Sequence, residues 1–216
     1  MAKILIFGDS ISWGAFDTEQ GGWVERLKTF FLQHYDDDGF DLGVYNLSVS
    51  SNDTRGVLKF LSADIDKMNQ IEPEEYILLF SVGSNDPRYI DQVDRVFVPE
   101  DEFEANLLKI VEIAKRHSTK IIFTGLMKVN ESLTKPWIRN EFWENKDLEN
   151  YDNIIKKVCE QNRIDFIPLF GLITEGDLAD GLHPNSQGHA KIFTHIKKHL
   201  LKILNLSEKF KNKPLF

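Results

Sequence analysis

The sequence predicts an α/β protein: a single-domain, flavodoxin-like three-layer sandwich with a parallel sheet of about five strands in the order 2-1-3-4-5 and helices on both faces. Three observations carry the prediction. Short uncharged apolar runs alternate along the chain with longer stretches whose apolar residues recur at helical spacing. The runs end in glycine-containing or small polar segments, the composition of turns. The length of 216 residues, 42% apolar and 28% charged, suits one domain with a full core.

The first strand is Lys3-Ile-Leu-Ile-Phe7, four apolar residues after Lys3, as in a strand buried on both faces. Gly8 permits a tight turn and leaves Ser10 at the strand's C-terminal edge, where open α/β sheets place their chemistry. Taken alone, Ser10 suits a helix N-cap as well as a nucleophile. Residues 11–17 read as a loop with an exposed Trp13. Residues 22–34 read as a helix with Val24, Leu27, Phe30 and Phe31 on one stripe. Asp36-Asp37-Asp38-Gly39 lacks the alternating acids and closing Glu of a calcium loop and reads as a solvated turn. Residues 44–47 form a second strand, and the polar run 48–54 leads into a helix over 55–69 with Val57, Leu58, Leu61, Ile65 and Met68 inward. Pro73 ends that connection.

Residues 76–80 form a third strand, followed by a polar loop through Gly83, Asn85 and Pro87. Residues 88–100 read as irregular, 101–117 as a helix with Phe103, Leu107, Ile110 and Ala114 inward, and 120–124 as a fourth strand closing on Gly125. A long loop over 127–146, a helix over 147–161, a short fifth strand over 164–169 and a last helix from about 187 to 203 complete the chain. A Lys-rich tail from Ser207 is expected to fray.

Composition narrows the function. With 26 basic and 34 acidic residues the net charge is −8, against the basic face that nucleic-acid binding needs. The single cysteine, Cys159, leaves no internal disulfide and no cysteine metal cluster, and its helical setting reads as a core thiol. No apolar run reaches membrane-spanning length, and the N-terminal run is too short for a secretion signal, so a cytoplasmic protein with no membrane partner is expected. The glycosylation-type triplets at Asn46, Asn52, Asn130 and Asn205 then carry no consequence.

Parallel topology gathers the strand ends at one edge. Ser10, the 48–52 segment, Gly83 to Asn85, and Asp180 to His183 therefore converge there. Together they are the parts for acyl transfer. A serine hydroxyl needs a base within hydrogen-bond reach, which His183 can be. Asp180, three residues earlier in a turn, can hold the imidazole Nδ1–H. The oxyanion needs fixed donors: the Asn85 side chain, and backbone N–H groups at Ser10 and the Ser50-Ser51 turn. Asp-x-x-His or Gly-x-Asn-Asp alone is an ordinary turn; their joint placement carries the reading.

Gly8-Asp9-Ser10, Asn46-Leu-Ser-Val-Ser-Ser-Asn52, Gly83-Ser-Asn85-Asp86 and Asp180-Gly-Leu-His183-Pro184 resemble, in order and spacing, the successive blocks of the SGNH (GDSL-type) esterases and lipases. The resemblance spans roughly residues 3–200. It implies a hydrolase domain over 1–205, with 206–216 a tail. It also implies Ser10 as nucleophile, His183 as base, Asp180 as its orienter, and an oxyanion hole of Ser10, Ser51 and Asn85. Ser51 stands where the family carries glycine. A backbone N–H survives that change if Ser51 adopts the glycine's φ/ψ.

The expected activity is hydrolysis of carboxylic ester or thioester bonds of a small molecule through an acyl-serine, without cofactor or metal. The alternatives are an O-acetyl carbohydrate esterase or a non-catalytic binding module. Asp9, Trp13, Gly83 and Trp137 are candidate substrate-binding residues. Trp13, Tyr89, Phe97, Trp137, Phe142 and Trp143 are loop aromatics that either pack or line an apolar pocket. His195 and His199, spaced i,i+4, read as a solvated face rather than a metal pair, and His189 as structural. The acyl chain, the alcohol and the oligomeric state stay open.

Overall fold

Five buried apolar runs fix the architecture by pairing side by side. The computed structural model describes residues 2–35, 39, 41–68, 75–91 and 95–211. The Asp36–Asp38 turn and Pro73 lie outside them. Strands β1 (Ala2–Gly8), β2 (Leu42–Asn46), β3 (Glu75–Ser81), β5 (Lys120–Thr124) and β7 (Asp165–Ile167) form one parallel sheet in the order β2-β1-β3-β5-β7. Two further strands, β4 (Tyr89–Ile90) and β6 (Glu141–Phe142), pair antiparallel as a separate ribbon. Without that ribbon the sheet has the expected 2-1-3-4-5 order.

Strand periodicity divides the core in two. Leu5, Phe7, Leu78, Phe80, Ile121 and Phe123 point to the face covered by helices α3 (Thr54–Met68), α4 (Glu100–His117) and α6 (Asn145–Asn162). Ile4, Ile6, Ile77, Leu79, Ile122 and Ile167 point to the face covered by α2 (Trp23–Leu32) and α7 (Ser186–Ile203). The inward stripes of α2 and α4 are those the sequence predicts; on α3, Leu58 and Met68 are only partly buried.

Three local expectations are corrected. The stretch after Ser10 is not all loop. One helical turn, α1 (Ser10–Trp13), forms because the Asp9 side chain accepts the Ile11 N–H at 2.9 Å. Asp9, not Ser10, is therefore the cap. The 127–146 loop contains a second short helix, α5 (Glu131–Thr134), and the strand β6 that pairs with the 88–100 segment. The tail does not fray at 207: Phe210 is buried against Phe30, Phe31 and His34, at ring-centroid distances of 5.3, 6.1 and 5.2 Å.

Candidate active site

All four sequence blocks meet at the C-terminal edge of the sheet. β1 delivers Ser10 as the first residue of α1, 8% exposed and so reachable from solvent. The loop between β7 and α7 delivers Asp180 and His183. Ser10 Oγ lies 2.9 Å from His183 Nε2, and His183 Nδ1 lies 2.8 Å from Asp180 Oδ2. The other carboxylate oxygen of Asp180 accepts the backbone N–H groups of Leu182 and His183 at 3.0 and 2.7 Å. These bonds turn Asp-x-x-His into a rigid clasp.

Burial alone would raise the Asp180 pKa. The His183 ring, its N–H and that of Leu182 outweigh burial and hold the carboxyl below its ordinary value. An ionised Asp180 only accepts, so the Nδ1 proton stays on His183, and Nε2 is left to accept from the Ser10 hydroxyl.

Gly181, at φ +90, permits the clasp. A side chain there would also strike Leu133 Cβ at 2.5 Å. The Asn130 N–H donates to the Gly181 carbonyl at 2.8 Å, docking the loop that carries α5 onto the clasp.

The loop after β2, which carries Ser51, lies at the mouth of the site, where the Val49 N–H donates to the Gly8 carbonyl at 3.1 Å. Asn85 is buried, and its Nδ2 donates to the Asn52 carbonyl at 2.8 Å, leaving its second N–H for another acceptor. Ser51 sits at φ +64, the left-handed conformation that glycine adopts most easily. Beneath this pair Asp86, fully buried, accepts the Thr54 hydroxyl at 2.5 Å and its N–H at 3.2 and 3.3 Å. Asp86 thereby ties the loop after β3 to the first turn of α3. Burial pushes it up to about 7, against the Thr54 hydrogen bond and with the push of Asp53 and Asp9.

Asp9 and Gly83, two of the candidate substrate-binding residues, are buried. Asp9 is 1% exposed and caps α1 through one carboxylate oxygen, and burial raises its pKa against the pull of the Ile11 N–H. Gly83 is buried at φ +127, facing Phe103 and Leu126, and serves the turn. Trp13 is 58% exposed at the rim, and Trp137 packs 5.7 Å from the His183 ring. Trp143 is buried and donates its Nε1–H to the Ser84 carbonyl at 2.8 Å, so it supports rather than lines the site.

Two residues take part that the sequence does not mark for these roles: Phe16, which stacks on His183, and Asp86, which holds Thr54. No periodicity signals either. The Asp86 of Gly83-Ser-Asn85-Asp86, set beside a buried strand end, was the available hint.

Other histidines are accounted for. His189 is buried; its Nδ1 accepts the Trp23 N–H and its Nε2–H donates to the Ala15 carbonyl. His195 and His199 contact each other at 4.3 Å, and among the described residues no cluster of three potential metal ligands occurs. No helix among the described residues is long and apolar enough to cross a membrane.

A hydroxyl, an imidazole and a carboxylate in series at the carboxyl edge of a parallel sheet are equipped for acyl transfer, the chemistry of an ester-cleaving hydrolase. The chain belongs to the GDSL-like lipase/acylhydrolase family, whose family model matches residues 6–191. A human isoamyl acetate-hydrolyzing esterase 1 homolog is 26% identical over 208 residues, covering 90% of this chain and 79% of the relative. An arylesterase of Vibrio mimicus is 25% identical over 206 residues, covering 94% and 90%. The crystal structure of an alpha/beta hydrolase enzyme from the metagenome of Lake Arreo, Spain, superposes with a TM-score of 0.68 at 20% identity, covering 94% of this chain and 95% of that one. The chain is thus an enzyme that hydrolyses esters, as the resemblance implied.

Proposed function

We propose that the protein hydrolyses small carboxylic esters through an acyl-Ser10 intermediate, with His183 as general base and acid and Asp180 as its orienter. The Ser10–His183–Asp180 series carries the reading. His183 Nε2 takes the hydroxyl proton as Ser10 Oγ bonds to the ester carbon and the carbonyl pair moves onto oxygen. The oxyanion accepts from the Ser10 N–H, the Ser51 N–H and the Asn85 side chain. On collapse the bond to the alcohol breaks, and the leaving oxygen takes the proton from His183 Nε2. Water, activated the same way, then releases the acid and restores Ser10.

The relative named for isoamyl acetate hydrolysis makes acetate esters the first substrates to try. A reducing, cytoplasmic setting is proposed from the lone Cys159, buried and unpaired. The test is covalent. A fluorophosphonate probe is expected to label Ser10 alone, read by intact mass and peptide mapping. A folded protein that stays unlabelled, or is labelled at Ser12 or Ser84, refutes the assignment.

A further inference from the structure

His183 is flanked by two aromatic rings. The Phe16 centroid lies 5.3 Å from that of the imidazole with 30° between planes, and Trp137 lies at 5.7 Å and 55°. Phe16 is half exposed and sits at φ +66, a conformation a bulky side chain holds only where its surroundings impose it. They do so from both sides. The Ala15 carbonyl accepts from His189 Nε2–H at 2.9 Å, and the Ala15 N–H donates to the Ser10 carbonyl at 3.0 Å. The Asp17 carboxylate accepts the N–H groups of Glu19, Gln20 and Gly22 and the guanidinium of Arg26. Strain in the chain is thus used to lay a ring on the imidazole. Trp137 is held by its N–H on the Glu141 carbonyl at 2.7 Å and by edge contact with buried Trp143 at 5.5 Å.

We propose that Phe16 and Trp137 form the subsite for the alcohol half of the ester, selecting apolar ring-bearing or branched alcohols over polyhydroxylated ones. The inference rests on the acyl-Ser10 reading. The leaving oxygen must lie within hydrogen-bond reach of His183 Nε2 to take its proton, so the carbon skeleton it carries runs along whatever flanks that ring. Both flanks are apolar. Phe16 has no polar side-chain atom, and Trp137 Nε1 is itself buried and without a partner among the described residues. The loops around the mouth add Trp13, Val49, Leu133 and Ile138, each more than half exposed. Sugar hydroxyls placed against such walls lose water without gaining partners.

The test varies one half of the ester at a time. Ethyl, benzyl and cyclohexylmethyl acetates share an acyl group and have alcohols of similar acidity. An acetylated methyl glycoside is the polar comparison, and p-nitrophenyl esters from acetate to octanoate fix the alcohol. Wild type is expected to favour benzyl and cyclohexylmethyl over ethyl acetate by about tenfold or more in kcat/KM, and to turn over the glycoside more slowly than either. Phe16→Ala and Trp137→Ala should each remove about tenfold on the ring-bearing alcohols and less than about threefold on ethyl acetate, leaving the acyl-chain profile unchanged.

Rates are taken per fluorophosphonate-labelled site, so misfolded material drops out. The milder Phe16→Leu and Trp137→Phe should lie between wild type and the alanine variants. Equal losses on all alcohols, a shifted acyl profile, or preference for the glycoside overturns the proposal. Ester hydrolysis surviving Ser10→Ala would instead overturn the underlying reading.

Discussion

Ser51 gives the sharpest test of the oxyanion hole. Its φ of +64 places a non-glycine residue in the left-handed region, which costs about 1–2 kcal/mol relative to a right-handed residue. Glycine would remove that cost but would lose about 0.5–1 kcal/mol more entropy on folding. The Ser51 side chain is exposed and makes no hydrogen bond within the described chain, so nothing else is lost. Ser51→Gly should therefore be neutral to about 1 kcal/mol stabilising and, keeping its N–H, should retain kcat within about tenfold. Ser51→Val is the opposing perturbation. A β-branched residue resists positive φ, so the peptide must turn its N–H away, and kcat should fall by about 10²- to 10³-fold. The assays are urea midpoints and kcat on p-nitrophenyl acetate. A Ser51→Val enzyme with full kcat, or a Ser51→Gly protein destabilised by about 2 kcal/mol, would refute the reasoning.

Asn85→Ala should lower kcat by about 10²- to 10³-fold with little change in KM, because the proposed role of its second N–H is exercised in the transition state; stopped-flow and steady-state rates on one ester check it. Asp86 sets a pH dependence. Folding lifts it from the ordinary 3.8 to about 7, so the folded state keeps a proton the unfolded chain sheds, and stability is lost as pH rises from about 4 through 7. Asp86→Asn should remove that loss, gaining up to about 4 kcal/mol on wild type by pH 8; parallel urea-midpoint profiles against pH would contradict this. Phe210→Ala should cost about 3 kcal/mol, the lower end for a buried Phe because it closes a terminal segment, with kcat unchanged, measured by urea unfolding and turnover.

The sheet was legible because its strands are continuous apolar runs and its helices keep clean stripes. Those signals come from burial on two faces, and they do not depend on distant partners. The site was legible for a related reason: parallel topology brings every strand end to one edge, so four short polar blocks could be placed together without knowing any loop. The signal failed where a residue's environment is made by a distant segment. The Tyr89–Ile90 and Glu141–Phe142 ribbon is two residues long on each side and is set by pairing across the fold. Asp9 is a candidate substrate contact in the sequence; its role as the cap of α1, through one carboxylate oxygen, depends on the local turn and was not legible there. Gly8 read as a turn residue; it is a spacing residue, since a side chain there would strike Ser12 and the Ser81 carbonyl at 2.7 Å. Phe16 escaped because a left-handed phenylalanine has no sequence signature.

The bond from Ser10 to His183 joins residues 173 positions apart. The proposed nucleophile therefore leaves the ribosome well before its base. On the proposed mechanism, a chain that lacks residues 180–183 has no base for Ser10. Activity on that mechanism requires the clasp and α7 to be docked against the Ser10 turn and α2. Such long-range closures are slow to form. On the proposed mechanism, turnover thus reports closure of the contact between Ser10 and His183.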